Sequence, residues 1–244
     1  MRPLSAALFA LFVAACAVGD NDAPSTDGVA TEDTSPVPAL REDSLVEADR
    51  ALRYRAHVTY PQLDGAHPAL AAVNTAIADS VRAFVAAVRP VEPPPADFPF
   101  ETDVEGGYET AHVSGTLYSG LLSAYAYTGG AHGNHFLLPL NYDLRTGRPI
   151  PLSALFRPGV AYRDSLAAWA LPRLIDLYGR GTLFEERVPA DATTLSVYTL
   201  GPDSLTLYFA PYAVAPYAAG TLYVSFGYDE LRPLLDADGP LRRR

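Results

Sequence analysis

Alternating apolar and polar residues begin near Leu52 and continue to Pro61. Tyrosine, alanine and valine take every second position there, while arginine, histidine and threonine take the others, which predicts a strand with one buried face. Further along, the apolar spacing changes to that of one helix face. The apolar positions are Leu70, Val73, Ile77, Val81, Phe84, Val85 and Val88. The sequence therefore predicts a strand that Pro61 ends and a helix that stops before Pro90.

The middle of the chain predicts a loop followed by an antiparallel meander. Residues 90–107 are rich in proline and then in acidic residues, so we expect a linker or loop there. Apolar and aromatic stretches follow at about 109–118, 121–128 and 135–143. The segments between them are short enough for hairpin turns. The last two stretches flank the glycine-rich residues 129–134, which hold two of the five histidines.

A second set of elements is predicted in the rest of the chain. It begins with a short helical turn at 152–156 and a helix at about 160–178, which Gly179 is placed to end. Strands are predicted at 194–200, 204–210 and 221–226. Together these patterns predict an α+β fold with helices packed on antiparallel sheets. We expect two similar-sized α+β halves, 51–148 and 149–244.

The first fifteen residues have the features of a signal peptide. Arg2 precedes an apolar run that is too short to span a bilayer as a helix, and the run ends in Val13-Ala14-Ala15-Cys16. This ending resembles the lipobox of bacterial lipoproteins, in which the cysteine thiol receives the lipid. An ordinary secretory signal with an incidental cysteine is the alternative. We expect lipidation at Cys16, because it is the single cysteine and lies at the expected cleavage point.

Residues 16–50 lack apolar periodicity and are rich in aspartate, threonine, proline and glycine. We expect a disordered tether there, because such a segment buries too little apolar surface to offset its ordering entropy. The sequence thus predicts an extracytoplasmic lipoprotein anchored to a membrane. If the cell has two membranes, outer-membrane attachment is preferred, because Ala17 is not the acidic residue associated with inner-membrane retention.

Composition and charge narrow the function classes. The formal net charge is −10, and all eighteen basic residues are arginine. A nucleic-acid-binding domain carries a basic face, but the one basic cluster here is the terminal Arg242-Arg243-Arg244. Nucleic acid is therefore not an expected partner. With one cysteine, the chain forms neither an internal disulfide nor a multi-cysteine metal site.

Three segments, in this order, resemble signatures of one extracytoplasmic domain pair. They are Tyr127-Thr128-Gly129-Gly130-Ala131-His132-Gly133-Asn134, then Asn141-Tyr142-Asp143-Leu144-Arg145-Thr146-Gly147, and finally Phe209-Ala210-Pro211-Tyr212 with Ala215-Pro216-Tyr217. The pair occurs in the extracellular part of the anti-sigma factor RsiV and beside the catalytic domain of the peptidoglycan deacetylase PdaC. The resemblance covers roughly residues 52–236. It implies an α+β fold near the cell wall and no catalytic residues. Without an expected transmembrane helix or sigma-binding segment, direct sigma-factor control is not expected.

Histidine and serine residues are the candidates for an enzyme site. His132 and His135 form an H-x-x-H pair, which would need His112, His57 or a carboxylate to complete a zinc site. No glutamate follows the first histidine as it does in zinc hydrolases. The serines Ser114, Ser119, Ser123 and Ser204 lack the turn context of a nucleophile. The alternative to a binding protein is therefore a metal-assisted or acid–base hydrolase centred on His132.

Tyrosines supply the candidates for ligand contact. The chain is rich in rings with polar ends, which suit sugar stacking or protein contact, although strand tyrosines also fill core rims. The ligand-contact candidates are Tyr127, His132, Asn134, His135, Tyr212 and Tyr217. The leading hypothesis is a noncatalytic module, without a cofactor, that binds a cell-wall glycan or an envelope protein such as a lysozyme-type hydrolase. For His132 itself we expect a structural role, in which its removal leaves a buried partner unsatisfied.

Overall fold

A computed structural model describes residues 35–184 and 187–241. The predicted signal peptide, Cys16, the first part of the predicted tether and the terminal arginines lie outside the described residues. The first half of the fold is a six-stranded sheet in the order β1 to β6, and the second half contains a three-stranded sheet in the order β7 to β9. The strands are β1 Ala39–Asp49, β2 Tyr54–Asp64, β3 Thr102–Val113, β4 Leu117–Tyr127, β5 Asn134–Asp143, β6 Arg148–Pro149, β7 Tyr198–Leu200, β8 Ser204–Phe209 and β9 Leu222–Gly227. The α-helices are α1 Leu70–Val88, α2 Tyr162–Tyr178 and α3 Tyr228–Leu231, with 3₁₀ turns at Leu152–Leu155, Arg180–Thr182 and Tyr217–Ala219.

The predicted tether extends too far, because its last part is strand β1. This strand pairs antiparallel with β2 over its whole length, from Ala39 opposite Asp64 to Asp49 opposite Tyr54. Most of its side chains are exposed, so it shows little of the apolar pattern by which a strand is recognised. Backbone pairing to β2 orders the segment instead. Its acidic residues suit an outermost strand, because charge discourages pairing with another chain.

Helix α1 connects β2 to β3, which are parallel neighbours from Tyr54 opposite Thr102 to Val58 opposite Gly106. A parallel pair needs such a crossover, since a tight turn cannot join its ends. The predicted helix is confirmed, and its apolar positions include the buried residues Leu70, Val73, Ile77, Val81 and Val85. By length and composition α1 is apolar enough to cross a membrane. Its buried face belongs to the core of the first half.

Two predicted boundaries in this region are wrong. Strand β2 continues through Pro61 to Asp64, because its pairing with β3 ends at Val58 and leaves that side open for a residue without an N–H. Strand β3 begins at Thr102, inside the predicted loop. Its acidic residues lie on the outer face of the sheet, where Asp103 pairs with Arg55 at 2.8 Å. Acidic composition therefore indicated a loop where the chain forms a half-buried strand.

The meander is confirmed, with one turn displaced. The sequence placed the β3–β4 turn at about Ser119 and Gly120, but both residues are inside β4. The chain turns at residues 114–116, where the Ser114 hydroxyl accepts the Leu117 N–H at 3.1 Å. Ser119 is fully buried. A strand interior that includes serine and glycine resembles a turn in sequence, but here burial keeps it extended.

The second half has its own core. One face of β8 and β9 is buried with α2, and the core includes Leu166, Leu174, Leu207, Val224 and Phe226. The predicted helix, its terminal Gly179 and the turn at residues 201–203 are confirmed. Strand β7 is shorter than predicted and begins at Tyr198. The observed architecture confirms the α+β class.

A buried polar junction joins the two sheets; we use this name for Ser119, Asn141, Tyr198 and Leu200. The Ser119 hydroxyl donates to Asn141 Oδ1 at 2.6 Å and accepts the Leu200 N–H at 2.7 Å. Asn141 Nδ2 donates to the Tyr198 carbonyl at 2.9 Å, and the Tyr198 hydroxyl donates to the Ile150 carbonyl. Because each group is buried and has a hydrogen-bond partner, these bonds fix β4 and β5 against β7.

Candidate functional site

The glycine-rich segment forms the connection between β4 and β5, and its backbone requires glycine. Gly129 and Gly130 have φ values of 91° and 108°, which are in the left-handed region. A Cβ at Gly129 would run into the ring of Phe98. At Gly133 a Cβ would lie 2.6 Å from the Ala126 carbonyl oxygen, inside normal contact distance. Glycine thus lets this loop pack closely against Phe98 and β4.

The loop presents His132 to the solvent. Its Nδ1 lies 2.9 Å from the Gly133 carbonyl oxygen, and its Nε2 lies 3.4 Å from the Tyr212 hydroxyl. Since a carbonyl only accepts, Nδ1 donates to Gly133, and Nε2 is left to pair with the Tyr212 hydroxyl. The imidazole also stacks on Tyr217, with centroids 3.8 Å apart and ring planes inclined by 20°.

Tyr212 and Tyr217 come from the turn between β8 and β9, in the second half of the fold. Tyr212 has φ 72°, a conformation that costs a bulky residue energy, and it is 57% exposed. Its N–H donates to the Ala215 carbonyl at 3.0 Å, which holds the turn. The structure therefore holds Tyr212 in a strained backbone conformation and leaves its large side chain exposed next to His132.

His135 and Tyr125 extend this group along the sheet. They face each other across β4 and β5, with ring centroids 5.0 Å apart. The Tyr125 hydroxyl accepts the Gly133 N–H at 2.8 Å, and His135 lies 5.8 Å from Tyr217. Desolvation, with neighbouring Tyr125, raises the pKa of the Tyr217 phenol. We call these five residues, His132, Tyr212, Tyr217, His135 and Tyr125, the aromatic cluster.

Four of the six predicted contact residues meet in the aromatic cluster. The other two do not join it directly. Tyr127 donates its hydroxyl to the Gly130 carbonyl at 3.0 Å and contacts Phe100, while Asn134 is exposed at the start of β5. Sequence reasoning missed Tyr125 as a site residue. Its position between the buried Ala124 and Ala126 was the available signal, because that alternation places it on the outer face of β4.

The geometry gives little support to the enzyme alternative. Both nitrogens of His132 have protein partners, so neither is open to a metal without rearrangement. Within residues 35–184 and 187–241, no three His, Cys, Asp or Glu side chains are grouped so as to hold a metal ion. Of the serines considered, Ser119 is buried in the polar junction, where no substrate reaches it. What the cluster offers is a surface of rings with polar tips.

Comparison with known proteins identifies two domains. The family model described as Deacetylase PdaC matches residues 49–135, and that described as Protein of unknown function (DUF3298) matches residues 153–229. Residues 49–135 thus resemble a PdaC domain and residues 153–229 a DUF3298 domain, which confirms the resemblance seen in the motifs. Both matched segments contribute to the aromatic cluster. His132 and His135 lie in the first segment, and Tyr212 and Tyr217 lie in the second.

Individual relatives are distant. The chain is 27% identical over 145 residues to Esterase Rv3036c of Mycobacterium tuberculosis, a match that covers 58% of this chain and 63% of the esterase. Among solved structures, a DUF3298 family member from Bacteroides fragilis has a TM-score of 0.60 at 16% identity, covering 83% of this chain and 95% of that one. A DUF3298 protein from Pseudomonas aeruginosa has a TM-score of 0.50 at 19% identity, with 81% and 95% covered. These likenesses establish the fold, and the domain matches indicate an extracytoplasmic, envelope-related domain family.

Proposed function

We propose that this protein is a noncatalytic binding module of the cell envelope, and that its aromatic cluster contacts a cell-wall glycan or an envelope protein such as a lysozyme-type hydrolase. The observation that carries the proposal is Tyr212, which combines φ 72° with 57% exposure. Backbone strain of this kind costs about 1–3 kcal/mol and persists where the surrounding structure enforces it, commonly at functional sites. An exposed tyrosine gains nothing in core packing to offset that cost.

The chemistry of the cluster suits recognition. Tyrosine and histidine rings offer an apolar face to a sugar or to a protein side chain, while their hydroxyl and imidazole groups form hydrogen bonds. Tyr217 and His132 are already stacked, so little side-chain entropy remains to be lost when a ligand binds. This preorganisation supports a binding role more directly than a catalytic one.

We further propose that Cys16 carries lipid and anchors the module to a membrane. The support is the lipobox-like ending at Ala14-Ala15-Cys16 in a chain with one cysteine. Cys16→Ala should then release the protein from the membrane fraction. Retention of that variant on membranes after high-salt washing would disprove lipid anchoring, without bearing on the aromatic cluster.

Co-sedimentation with purified peptidoglycan and pull-down with lysozyme test the binding role. Tyr212→Ala should weaken capture by at least one of them, while the melting temperature stays within a few degrees of wild type. Tyr223→Ala is the matched control, because Tyr223 is 52% exposed and lies outside the cluster. If Tyr212→Ala and Tyr223→Ala behave alike with both ligands, the aromatic cluster is not the contact surface.

A second candidate function is ester hydrolysis, and the observation that favours it is the relative named as an esterase. In this reading His132 acts as an acid–base group beside the tyrosine hydroxyls. Turnover of p-nitrophenyl butyrate by purified protein, abolished by His132→Ala, would support it. Equal rates for the wild type, the variant and buffer would leave the noncatalytic function as the better account.

A further inference from the structure

The aromatic cluster continues into a row of rings across the end of the large sheet. From Tyr217 the row passes to His135 and Tyr125 through the contacts of 5.8 and 5.0 Å described above. Tyr127 follows Tyr125 by two residues, so both side chains lie on the same face of β4, about 7 Å apart along the strand. Beyond Tyr127, the rings of Phe100 and Phe98 follow at 5.4 and 5.6 Å.

The far end of the row opens into a groove of about 280 Å³. Phe98, Phe100 and Thr128 line it, together with Arg53. Arg53 has φ 49°, the second left-handed residue other than glycine among the described residues, and its guanidinium donates to the Phe98 carbonyl. Arg53 and Tyr212, whose backbones have left-handed φ values, thus lie at opposite ends of the row.

One loop holds both parts of the row in place. Gly129 packs against Phe98, and Gly130 accepts the Tyr127 hydroxyl, while His132 of the same loop stacks on Tyr217. The rings are therefore fixed relative to one another before any ligand arrives. Such preorganisation is typical of a binding surface, because it lowers the entropy lost on binding. The rings are also in contact with solvent, which rings that only fill a core rim would not need. Phe100 is 40% exposed and His135 is exposed as well.

The shape and chemistry of the row select the class of ligand. The six rings are themselves uncharged, and charges of both signs flank them: Arg53 and Glu92 line the groove, while Asp103 and Glu105 lie opposite Tyr127 and Tyr125 on β3. Because neither sign dominates, the surface suits an uncharged polar chain. The row also crosses neighbouring strands, and β4 is paired on both sides by β3 and β5. An extended peptide would find no free backbone edge of β4 to pair with. Sugar rings, by contrast, have apolar faces for stacking and hydroxyls for the phenol and imidazole groups.

We propose that the row from Tyr217 to Phe98 binds a linear polysaccharide strand, with several consecutive sugars each contacting one or more rings. This proposal rests on the proposed binding function and chooses between its two ligand classes. It extends the contact surface beyond the aromatic cluster to Tyr127, Phe100 and Phe98. The stacked His132 and Tyr217 hold the first sugars, and Phe100 holds sugars farther along.

Affinities of the full chain for N-acetylglucosamine oligomers of two to six sugars, measured by titration calorimetry, test this assignment. Affinity should rise with oligomer length by about tenfold in total, because each added ring contact contributes a fraction of the 1.4 kcal/mol that a tenfold change requires. Phe100→Ala should remove most of that gain and leave binding of the dimer at the wild-type level. Tyr217→Ala should weaken every length, and Tyr223→Ala should match wild type throughout.

The outcomes separate this proposal from the one it rests on. Affinity that does not depend on length, or an unchanged hexamer affinity in Phe100→Ala, would overturn the polysaccharide row. Binding of lysozyme without binding of any oligomer would do the same while the binding-module function stands. Failure to bind either ligand would count against both proposals. Melting curves of each variant exclude unfolding as the cause of a loss.

Discussion

The two halves of this fold meet at two places of opposite character, the polar junction and the aromatic cluster. At the polar junction, Ser119 and Asn141 are 0% and 4% exposed, and their hydrogen bonds cross from β4 and β5 to β7. At the aromatic cluster, His132 stacks on Tyr217 in contact with solvent, and Tyr212 is more than half exposed. Both contacts are built from polar side chains. Because the polar junction is buried, its hydrogen bonds hold the two sheets together. Because the aromatic cluster is exposed, its side chains are available to a ligand.

The largest effect should come from breaking the polar junction. Asn141→Ala removes the donor to the Tyr198 carbonyl and the acceptor of the Ser119 hydroxyl, leaving two buried groups unsatisfied. We expect the free energy of unfolding to fall by about 3 kcal/mol in urea denaturation. Asn134→Ala is the control at an exposed position and should change it by less than about 0.5 kcal/mol. Similar losses in the two variants would mean that the junction does not depend on these bonds.

The next effect tests whether the shape of the loop supports the cluster. Gly129→Ala adds a Cβ against Phe98 at a φ of 91°, so we expect a loss of about 2 kcal/mol of stability together with weaker ligand binding. Gly227→Ala is the control, because its φ is −62° and no atom lies within 4 Å of the added Cβ. A Gly129→Ala protein that melts and binds like wild type would show that the loop is adaptable.

At alkaline pH, the buried Tyr118 beside the polar junction should lose its contribution to the free energy of unfolding. Desolvation raises the pKa of Tyr118, the neighbour of Ser119, to about 12. An unfolded tyrosine titrates near pH 10, so this group contributes stability that is complete below pH 10 and is lost as pH rises through the folded-state value. Between pH 8 and 11 the contribution lost is about 1 kcal/mol. Tyr118→Phe should therefore lose that much less stability over this interval than wild type, and equal losses would contradict the assignment.

The smallest effect on stability is expected at His132. The sequence favoured a structural role with a buried partner; the imidazole does bond the carbonyl of the buried Gly133, but the ring itself is exposed. We expect His132→Ala to change the free energy of unfolding by less than about 0.5 kcal/mol and to lower ligand affinity about tenfold. His57→Ala, at a side chain 52% exposed on the same sheet, should change neither. A loss of stability above about 1 kcal/mol with intact binding would return His132 to a structural role.

Local patterns sufficed where burial is strong and periodic. Helix α1 was predicted from its apolar spacing because a helix buried on one face must repeat apolar residues every three or four positions. The same reasoning failed for β1, whose exposed side chains carry no such repeat and whose order comes from pairing with β2. It also failed at the start of β3, where Asp103 is explained by Arg55 on a strand distant in sequence.

The sequence alone determined the α+β class, the position of α1, the glycine-rich loop between two strands and the domain resemblance, because each depends on residues near one another in the chain. Only the tertiary structure decided that Tyr212 and Tyr217 stand against His132, about eighty residues away. It also decided that Tyr125 and Phe100 belong to the same row of rings as His135. No local period encodes these neighbours, because the loop of one half and the turn of the other are brought together by the packing of two sheets.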